Sequence, residues 1–166
     1  MPAVDPHPVM LPLRAAMEAR DVSAVVDCFA PDAVFRSPFT ANLVFTGREQ
    51  IRALTSVVLE ALDDLHYTDE VRGENSAFLA ARARVGGQDI ELTDHLQLRP
   101  DGKIQEFTVF FRPLPATAVA LRLIGAGLGR RKSPARAAVI SALARPLAVL
   151  TRAGDGIGVR LIRSAL

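Results

Sequence analysis

The middle of the chain alternates apolar and polar residues with a period of two, the spacing that places successive side chains on opposite faces of a β-strand. The alternation runs through residues 65–72, 77–85, 90–98 and 103–112. Two glycines at 86–87 and a Pro-Asp-Gly sequence at 100–102 supply turns between consecutive strands. The pattern therefore predicts a four-stranded antiparallel meander.

The residues before this meander repeat with helical spacing instead. We expect helices over 11–19, over 21–30 with Asp21 as the N-cap, and from a capping box at 46–49 to about residue 62, with a short extended piece at 33–36. Helices followed by a meander predict an α+β domain, in which a cone-shaped, curled antiparallel sheet carries helices on its concave face. Such packing closes a cavity.

The chain changes character after Pro113 and Pro115, because prolines stop strand pairing. Residues 1–115 hold eleven Arg or Lys against seventeen Asp or Glu, whereas residues 116–166 hold nine against one. This asymmetry predicts an α+β domain over 1–115 and a basic amphipathic helical extension over 116–166. Within the extension we expect a hinge at 127–133, a helix that bends or breaks at Pro146, a turn at 154–156 and a last short helix.

The extension has three candidate roles. It packs its apolar face on its own domain or on a twin subunit, which we favour, or it lies on an anionic membrane surface. Nucleic-acid binding ranks last because the extension has no aromatic residue to stack on bases. The first residues are proline-rich and lack the pattern of a secretory signal. These features predict a cytoplasmic protein, or one peripheral to the membrane through its extension.

Asp94 is the most informative residue for chemistry because it lies on the apolar face of a strand, together with Leu92, Leu96 and Leu98. A buried carboxylate is costly to ionise, so it is usually neutral, paired or functional. Asp94 is therefore the candidate catalytic residue. The alternative is a purely structural aspartate, bonded to a neighbouring hydroxyl or backbone amide.

The residues predicted to surround Asp94 are mainly apolar. The inner face of the last strand and the strand beside it contribute apolar side chains, while two hydroxyl residues come from elsewhere. Tyr67 either supplies its hydroxyl to the pocket or packs with the hydroxyl at the rim, and Ser37 is either a ligand contact or a loop serine. The predicted ligand-binding residues are Ser37, Tyr67, Leu92, Leu96, Phe107, Val109 and Phe111.

Three segments together resemble nuclear transport factor 2-like domains, the superfamily of ketosteroid isomerases and SnoaL-type polyketide cyclases. They are FAPDAVFRSPF, TGREQI and TDHLQLRPDGKI, and the resemblance extends over about residues 12–112. It implies the cone-shaped fold and places Asp94 in the pocket, where ketosteroid isomerase keeps an aspartic acid protonated. Relatives often pair through the outer sheet face, which implies a homodimer with His95 on that face.

Two positions depart from the isomerase pattern. Ser37 stands where the family has its general base, and Leu13 stands near the position of its hydrogen-bonding tyrosine. A serine cannot take an α-proton as a carboxylate does, and a leucine donates no hydrogen bond. The resemblance therefore argues against steroid isomerisation by the known mechanism.

Two function classes stay open. One is an isomerase, cyclase or dehydratase acting on an apolar carbonyl or hydroxyl compound through Asp94. The other is a non-catalytic carrier or sensor of an apolar ligand, associated with a membrane through the extension. No cofactor is predicted, and no metal site, because His66, Asp94 and His95 share neither a useful spacing nor a common face. The single cysteine, Cys28, is expected to be a packed thiol on a helix.

Overall fold

Six strands form one open sheet in the computed structural model, which describes residues 10–164. They are β1 (Phe29–Arg36), β2 (Val44–Thr46), β3 (Leu62–Arg72), β4 (Ser76–Val85), β5 (Gln88–Leu98) and β6 (Ile104–Arg112), in the order β2-β1-β6-β5-β4-β3. The predicted meander is confirmed as β3 to β6. The strand pattern did not predict that β1 would join β6 in parallel, or that β2 would pair with β1.

Five helices complete the α+β fold. They are α1 (Met10–Glu18), α2 (Val22–Asp27), α3 (Gly47–Ala61), α4 (Leu114–Arg130) and α5 (Pro134–Arg163). The prediction that α2 reaches residue 30 was wrong. Helix α2 ends at Asp27, with Cys28 as its C-cap. The Cys28 carbonyl accepts a hydrogen bond from the Ile104 N–H at 3.0 Å, so the chain joins the sheet at this point.

The two predicted helix caps have different outcomes. Asp21 caps α2 as expected, because its Oδ1 accepts a hydrogen bond from the Ala24 N–H at 3.0 Å. The capping box at Thr46 does not form, since the Thr46 side chain makes no cap bond. Instead, Gln50 Oε1 accepts from the Thr46 N–H at 3.0 Å. Gln50 thus satisfies a backbone donor that the box would have satisfied from Glu49.

The extension folds as two helices rather than as several short pieces. The predicted hinge begins late, because α4 continues to Arg130. The break at Pro146, the turn at 154–156 and the separate last helix were wrong, since α5 is continuous to Arg163. Pro146 removes only the hydrogen bond to the carbonyl of Ala142, a solvent-exposed residue, and glycines weaken a helix without ending it.

The two faces of the sheet differ as strand alternation requires. Leu79, Asp94 and Val109 form a row across β4, β5 and β6, and all three are buried under the helices. Phe78 and His95 lie on the opposite face, where their rings stack with centroids 4.3 Å apart. Helix α4 joins the same core as the sheet through buried alanines and Ile124. The predicted lead-in with His7 lies outside the described residues.

Candidate functional site

A cavity of about 90 Å³ lies between the inner face of the sheet and the helices. Its wall is almost entirely apolar. Four polar side chains interrupt it: Ser37, Thr55, Tyr67 and Asp94. Such a wall favours an apolar ligand with few polar atoms, because each buried polar group needs a hydrogen-bond partner.

The structure brings most of the predicted site residues together. Asp94 and six of the seven predicted ligand-binding residues line the cavity: Ser37, Tyr67, Leu92, Phe107, Val109 and Phe111. Leu96 is the one predicted ligand-binding residue that does not line this cavity. It is fully buried in the core on the same face of β5 as Asp94.

Helix α4 supplies a wall of the cavity that sequence reasoning missed. Its residues Leu121, Ile124, Gly125 and Leu128 line the space on the side opposite the sheet. These positions follow the spacing of one helical face, which was visible in the sequence. Their partner was not, because nothing local showed that this helix folds back over the cavity.

Asp94 and Tyr67 form a buried hydrogen-bonded pair at the cavity wall. The Tyr67 hydroxyl donates to Asp94 Oδ2 at 2.9 Å, and both residues are 3% exposed. Burial raises the pKa of Asp94 to about 7, against a partial lowering by the hydrogen bond from Tyr67. Burial and the neighbouring Asp94 charge raise the pKa of the Tyr67 hydroxyl well above its usual value. Tyr67 therefore stays protonated, while Asp94 changes charge near neutrality.

Tyr67 faces the core from β3 by strand alternation, since it lies two residues after the buried Leu65 and is in register with the buried Ala81 of β4. The register with β4 shifts just after it, between Tyr67 and Asp69. Helix α1 then holds the tyrosine backbone at this sheet edge. Glu18 Oε1 accepts from the Tyr67 N–H at 2.8 Å, and Arg14 Nη2 donates to the Tyr67 carbonyl at 2.9 Å. The hydroxyl is interior, so placing it at the rim was wrong.

We expect Glu18→Ala to loosen Tyr67 without unfolding the domain. The variant leaves an edge-strand N–H without its carboxylate partner, at a cost of about 1 kcal/mol, since the Glu18 side chain is partly exposed. Amide hydrogen exchange at Tyr67 should accelerate about five-fold. Glu74→Ala in the exposed turn before β4 is the matched control. Equal exchange at Tyr67 in both variants would show that α1 does not hold this residue.

The two positions that depart from the isomerase pattern both lie in the wall. Leu13 on α1 is 1% exposed and presents only apolar surface. Ser37 is already engaged, because its Oγ accepts a hydrogen bond from the Phe39 N–H at 3.2 Å. The cavity therefore has no carboxylate at position 37, and its tyrosine comes from β3 instead of the first helix.

The remaining candidates lie elsewhere. His95 is on the outer sheet face, and His66 is exposed, with Nδ1 2.8 Å from the Asp64 carbonyl oxygen. Cys28 is buried, and burial raises the pKa of its thiol, which disfavours the reactive thiolate. None of the three lines the cavity. The chemistry available there is that of a neutral tyrosine and an acid that titrates near pH 7.

Comparison with known families identifies the first two thirds of the chain. The sequence model for the SnoaL-like domain matches residues 13–107. A comparison with curated proteins finds no match.

Solved structures give the same fold. The chain is similar to an uncharacterized protein conserved in bacteria, with a cystatin-like fold, from Silicibacter pomeroyi, with a TM-score of 0.71 and 24% identity over 78% of this chain and 89% of that one. It is also similar to a steroid delta-isomerase from Pseudomonas aeruginosa, with a TM-score of 0.67 and 26% identity over 80% and 96%.

A third structure is the epoxide hydrolase/cyclase-like enzyme SalBIII of pyran ring formation in salinomycin. Its TM-score is 0.54, with 21% identity over 63% of this chain and 88% of that one. The predicted nuclear transport factor 2-like fold is confirmed by these neighbours together.

Proposed function

Because the chain belongs to the SnoaL-like domain family, we propose that it binds and acts on a small apolar compound that carries one carbonyl or hydroxyl oxygen. Tyr67 and Asp94 would contact that oxygen. The observation that carries the proposal is the 2.9 Å hydrogen bond between these two side chains, buried in the wall of an otherwise apolar cavity.

The size of the cavity limits the ligand. Sites for drug-sized ligands run to about 300–1,000 Å³, and a cavity of about 150 Å³ holds benzene. A volume of about 90 Å³ therefore suits a compact group smaller than a substituted ring. A larger ligand would place only its oxygen-bearing end beside Asp94. The rest would leave between Phe39 and Leu43, two lining residues that are partly exposed.

The pair supplies what an isomerase, cyclase or dehydratase needs at such an oxygen. A neutral Asp94 donates a hydrogen bond or a proton, and an ionised Asp94 accepts one. Its pKa of about 7 lets both forms exist at neutral pH. The single hydroxyl proton of Tyr67 is donated to Asp94, so Tyr67 orients the carboxyl and would donate to the ligand only in exchange for that bond. The isomerase and cyclase neighbours support this range of reactions. Ser37 and Leu13 argue against steroid isomerisation by the family's known mechanism.

A non-catalytic carrier is the alternative. It would use the same apolar wall for binding and the Tyr67–Asp94 pair only for orientation. The two candidates differ in one observable: an enzyme of this class moves a proton on the bound compound, and a carrier does not.

We expect the protein to bind butanone about five-fold more tightly than 2-methyl-1-butene, a hydrocarbon of the same shape, because one hydrogen bond to the carbonyl contributes about 1 kcal/mol. Tyr67→Phe and Asp94→Asn should each remove most of that preference, measured by ligand-detected NMR. Thr55→Val is the matched control, since Thr55 lines the same cavity without contacting the pair. An equal loss in the Thr55 variant would contradict a specific role for Tyr67 and Asp94.

The same samples in deuterium oxide separate enzyme from carrier. Wild-type protein that accelerates deuterium incorporation beside the carbonyl of butanone, with Asp94→Asn inactive, supports catalysis. Binding without incorporation supports the carrier. Binding that does not discriminate the ketone from the hydrocarbon contradicts both candidates.

A further inference from the structure

Helix α5 has two apolar faces, and only one of them is covered. Ala137, Ala144 and Ala148 pack toward α4 and are buried. The other face carries large side chains in contact with solvent, and Leu143 and Leu150 are 77% and 68% exposed. The exposed apolar residues are Val139, Leu143, Leu147, Val149, Leu150, Ile157, Val159 and Ile162. Five of these residues follow each other at three-, four- or seven-residue steps and form one stripe along the helix: Val139, Leu143, Leu147, Leu150 and Ile157.

Cations accompany this stripe. Arg136 is three residues before Val139 and Arg160 is three residues after Ile157, so one exposed arginine lies beside each end of the stripe. Arg145, Arg152 and Arg163 lie together on the opposite side of the helix. Arg130, Arg131 and Lys132 are exposed at the turn before α5. From residue 114 to residue 164 the chain has nine basic side chains and a single acidic one, Asp155. The occupant of the stripe must therefore tolerate or prefer a strongly positive surface.

A second copy of this helix is a poor occupant on that ground. Two α5 stripes packed together would bring two positive extensions into contact, with only Asp155 of each helix to offset their charges. The acidic first domain is not the occupant either, because the exposed stripe lies on the side of α5 away from α4, its neighbour within the chain.

A helix crossing the bilayer also fits poorly. Pro134–Arg160 is, within the described residues, the one helical stretch that passes a length-and-composition test for a membrane span. Arg145 and Arg152 would then lie deep in the hydrocarbon, where each charge costs several kcal/mol. Spanning would also strip Ala137, Ala144 and Ala148 from α4. A helix that lies flat keeps both its docking on α4 and its hydrated arginines.

We propose that α5 is a docking surface for an anionic lipid bilayer. The stripe inserts into the headgroup boundary, and the flanking arginines contact acidic headgroups, the arrangement of interfacial amphipathic helices. Thirty residues at 1.5 Å per residue give α5 a length of about 45 Å for this contact. The domain stays on the water side, attached through α4.

Flotation with vesicles tests the proposal on the full chain. One vesicle type contains phosphatidylcholine alone, and the other contains three parts phosphatidylcholine to one part phosphatidylserine. Wild-type protein should float with the phosphatidylserine vesicles, bind phosphatidylcholine vesicles far more weakly, and dissociate as salt is raised.

The arginines and the apolar stripe of α5 are tested separately, each by substitution of exposed residues. Arg136→Gln with Arg160→Gln should weaken partitioning about thirty-fold, since each basic residue near an anionic surface contributes about five-fold. Arg82→Gln with Arg84→Gln makes the same charge change on the exposed side of β4. Leu143→Gln should also weaken binding about ten-fold. Val71→Gln, at 64% exposure on β3, is its control.

Every outcome of these experiments either supports or overturns the proposal. Losses confined to the α5 variants support the proposal. It is overturned if the wild-type protein ignores anionic vesicles, if both vesicle types bind equally, or if the control variants lose as much. It is also overturned if light scattering shows a dimer that Leu143→Gln dissociates while no vesicle binding occurs, because a second copy then covers the stripe.

Discussion

The free energy of unfolding of the wild-type protein is expected to fall by about 3 kcal/mol as the pH rises from about 5 to about 8, and Asp94→Asn is expected to abolish that fall. The cause is the buried carboxyl group, whose pKa in the folded chain is about 7. Such a loss is large beside the 5–15 kcal/mol total of an ordinary domain. Urea denaturation of both proteins at several pH values measures it.

The sign follows from which state binds the proton. In the unfolded chain an aspartate titrates near pH 3.9, well below the folded pKa of Asp94. Between the two values the folded state holds a proton that the unfolded state has released. The stabilisation is therefore complete below about pH 4 and disappears as the pH rises through about 7. Asparagine does not titrate, so the difference between the two proteins isolates this residue.

Tyr67 gives an independent reading of the same titration. It is the single tyrosine of the chain, which has no tryptophan, so tyrosine fluorescence reports on this site alone. Ionisation of Asp94 should change the emission of its hydrogen-bonded partner with a midpoint near pH 7. Asp94→Asn should abolish that transition. A wild-type protein with flat stability and flat emission over this range would show that Asp94 is ionised throughout or not enclosed.

Tyr67→Phe tests how the hydrogen bond from Tyr67 changes the pKa of Asp94. The hydrogen bond from Tyr67 lowers the pKa of Asp94, so its removal should shift the stability loss to higher pH. A shift to lower pH would mean that Tyr67 favours the neutral acid, which the present geometry does not predict.

The placement of Asp94 could be predicted because it depends on local alternation. A period of two from Leu92 to Leu98 fixes which side chains share a face, and the core covers one face only. The hairpin turn is equally local, since Gly86 and Gly87 both adopt positive φ as a two-residue loop requires.

The hydrogen-bond partner of Asp94 could not be predicted from strand alternation. Alternation assigned Tyr67 to a face but left its hydroxyl either in the pocket or at the rim. The hydrogen bond from its hydroxyl to Asp94 decides the question, and Glu18 and Arg14 hold its backbone from a different helix. The parallel pairing of β1 with β6 is likewise a contact between segments far apart in sequence.

The extension shows that proline and glycine in the sequence do not always predict where a helix ends. Pro146 and the glycines near residue 155 predicted interruptions, but each costs a helix a limited free energy that its surroundings can offset. The predicted hinge at 127–133 begins inside α4, and its glycines lie at close helix contacts instead. A side chain at Gly127 would meet Val57, and one at Gly129 would meet Ala137.

Gly127→Ala is expected to destabilise the protein by about 3 kcal/mol, because overpacking costs roughly 1–3 kcal/mol and this contact is severe. A Cβ at position 127 would clash with Val57 Cγ1 on α3. Val57 is β-branched and held in a helix, so its side chain cannot rotate away freely. Helix α4 must shift, and the wall of the cavity shifts with it.

Gly154→Ala provides the matched control for this substitution. A Cβ there meets nothing within 4 Å, and alanine stabilises an exposed helix over glycine by about 1 kcal/mol. The same change should therefore have opposite signs on α4 and α5 in urea denaturation.

Combining Gly127→Ala with Val57→Ala tests the mechanism of that destabilisation. The double variant removes the clashing Cγ1 and lets the new methyl fill the space, so the two changes should be coupled favourably by at least about 1 kcal/mol. Purely additive effects would show that Gly127 is needed for backbone freedom and not for the approach of α4 to α3. That result would also remove the reason to expect the cavity wall to move, because the closeness of these two helices is what sets the position of α4 above Asp94.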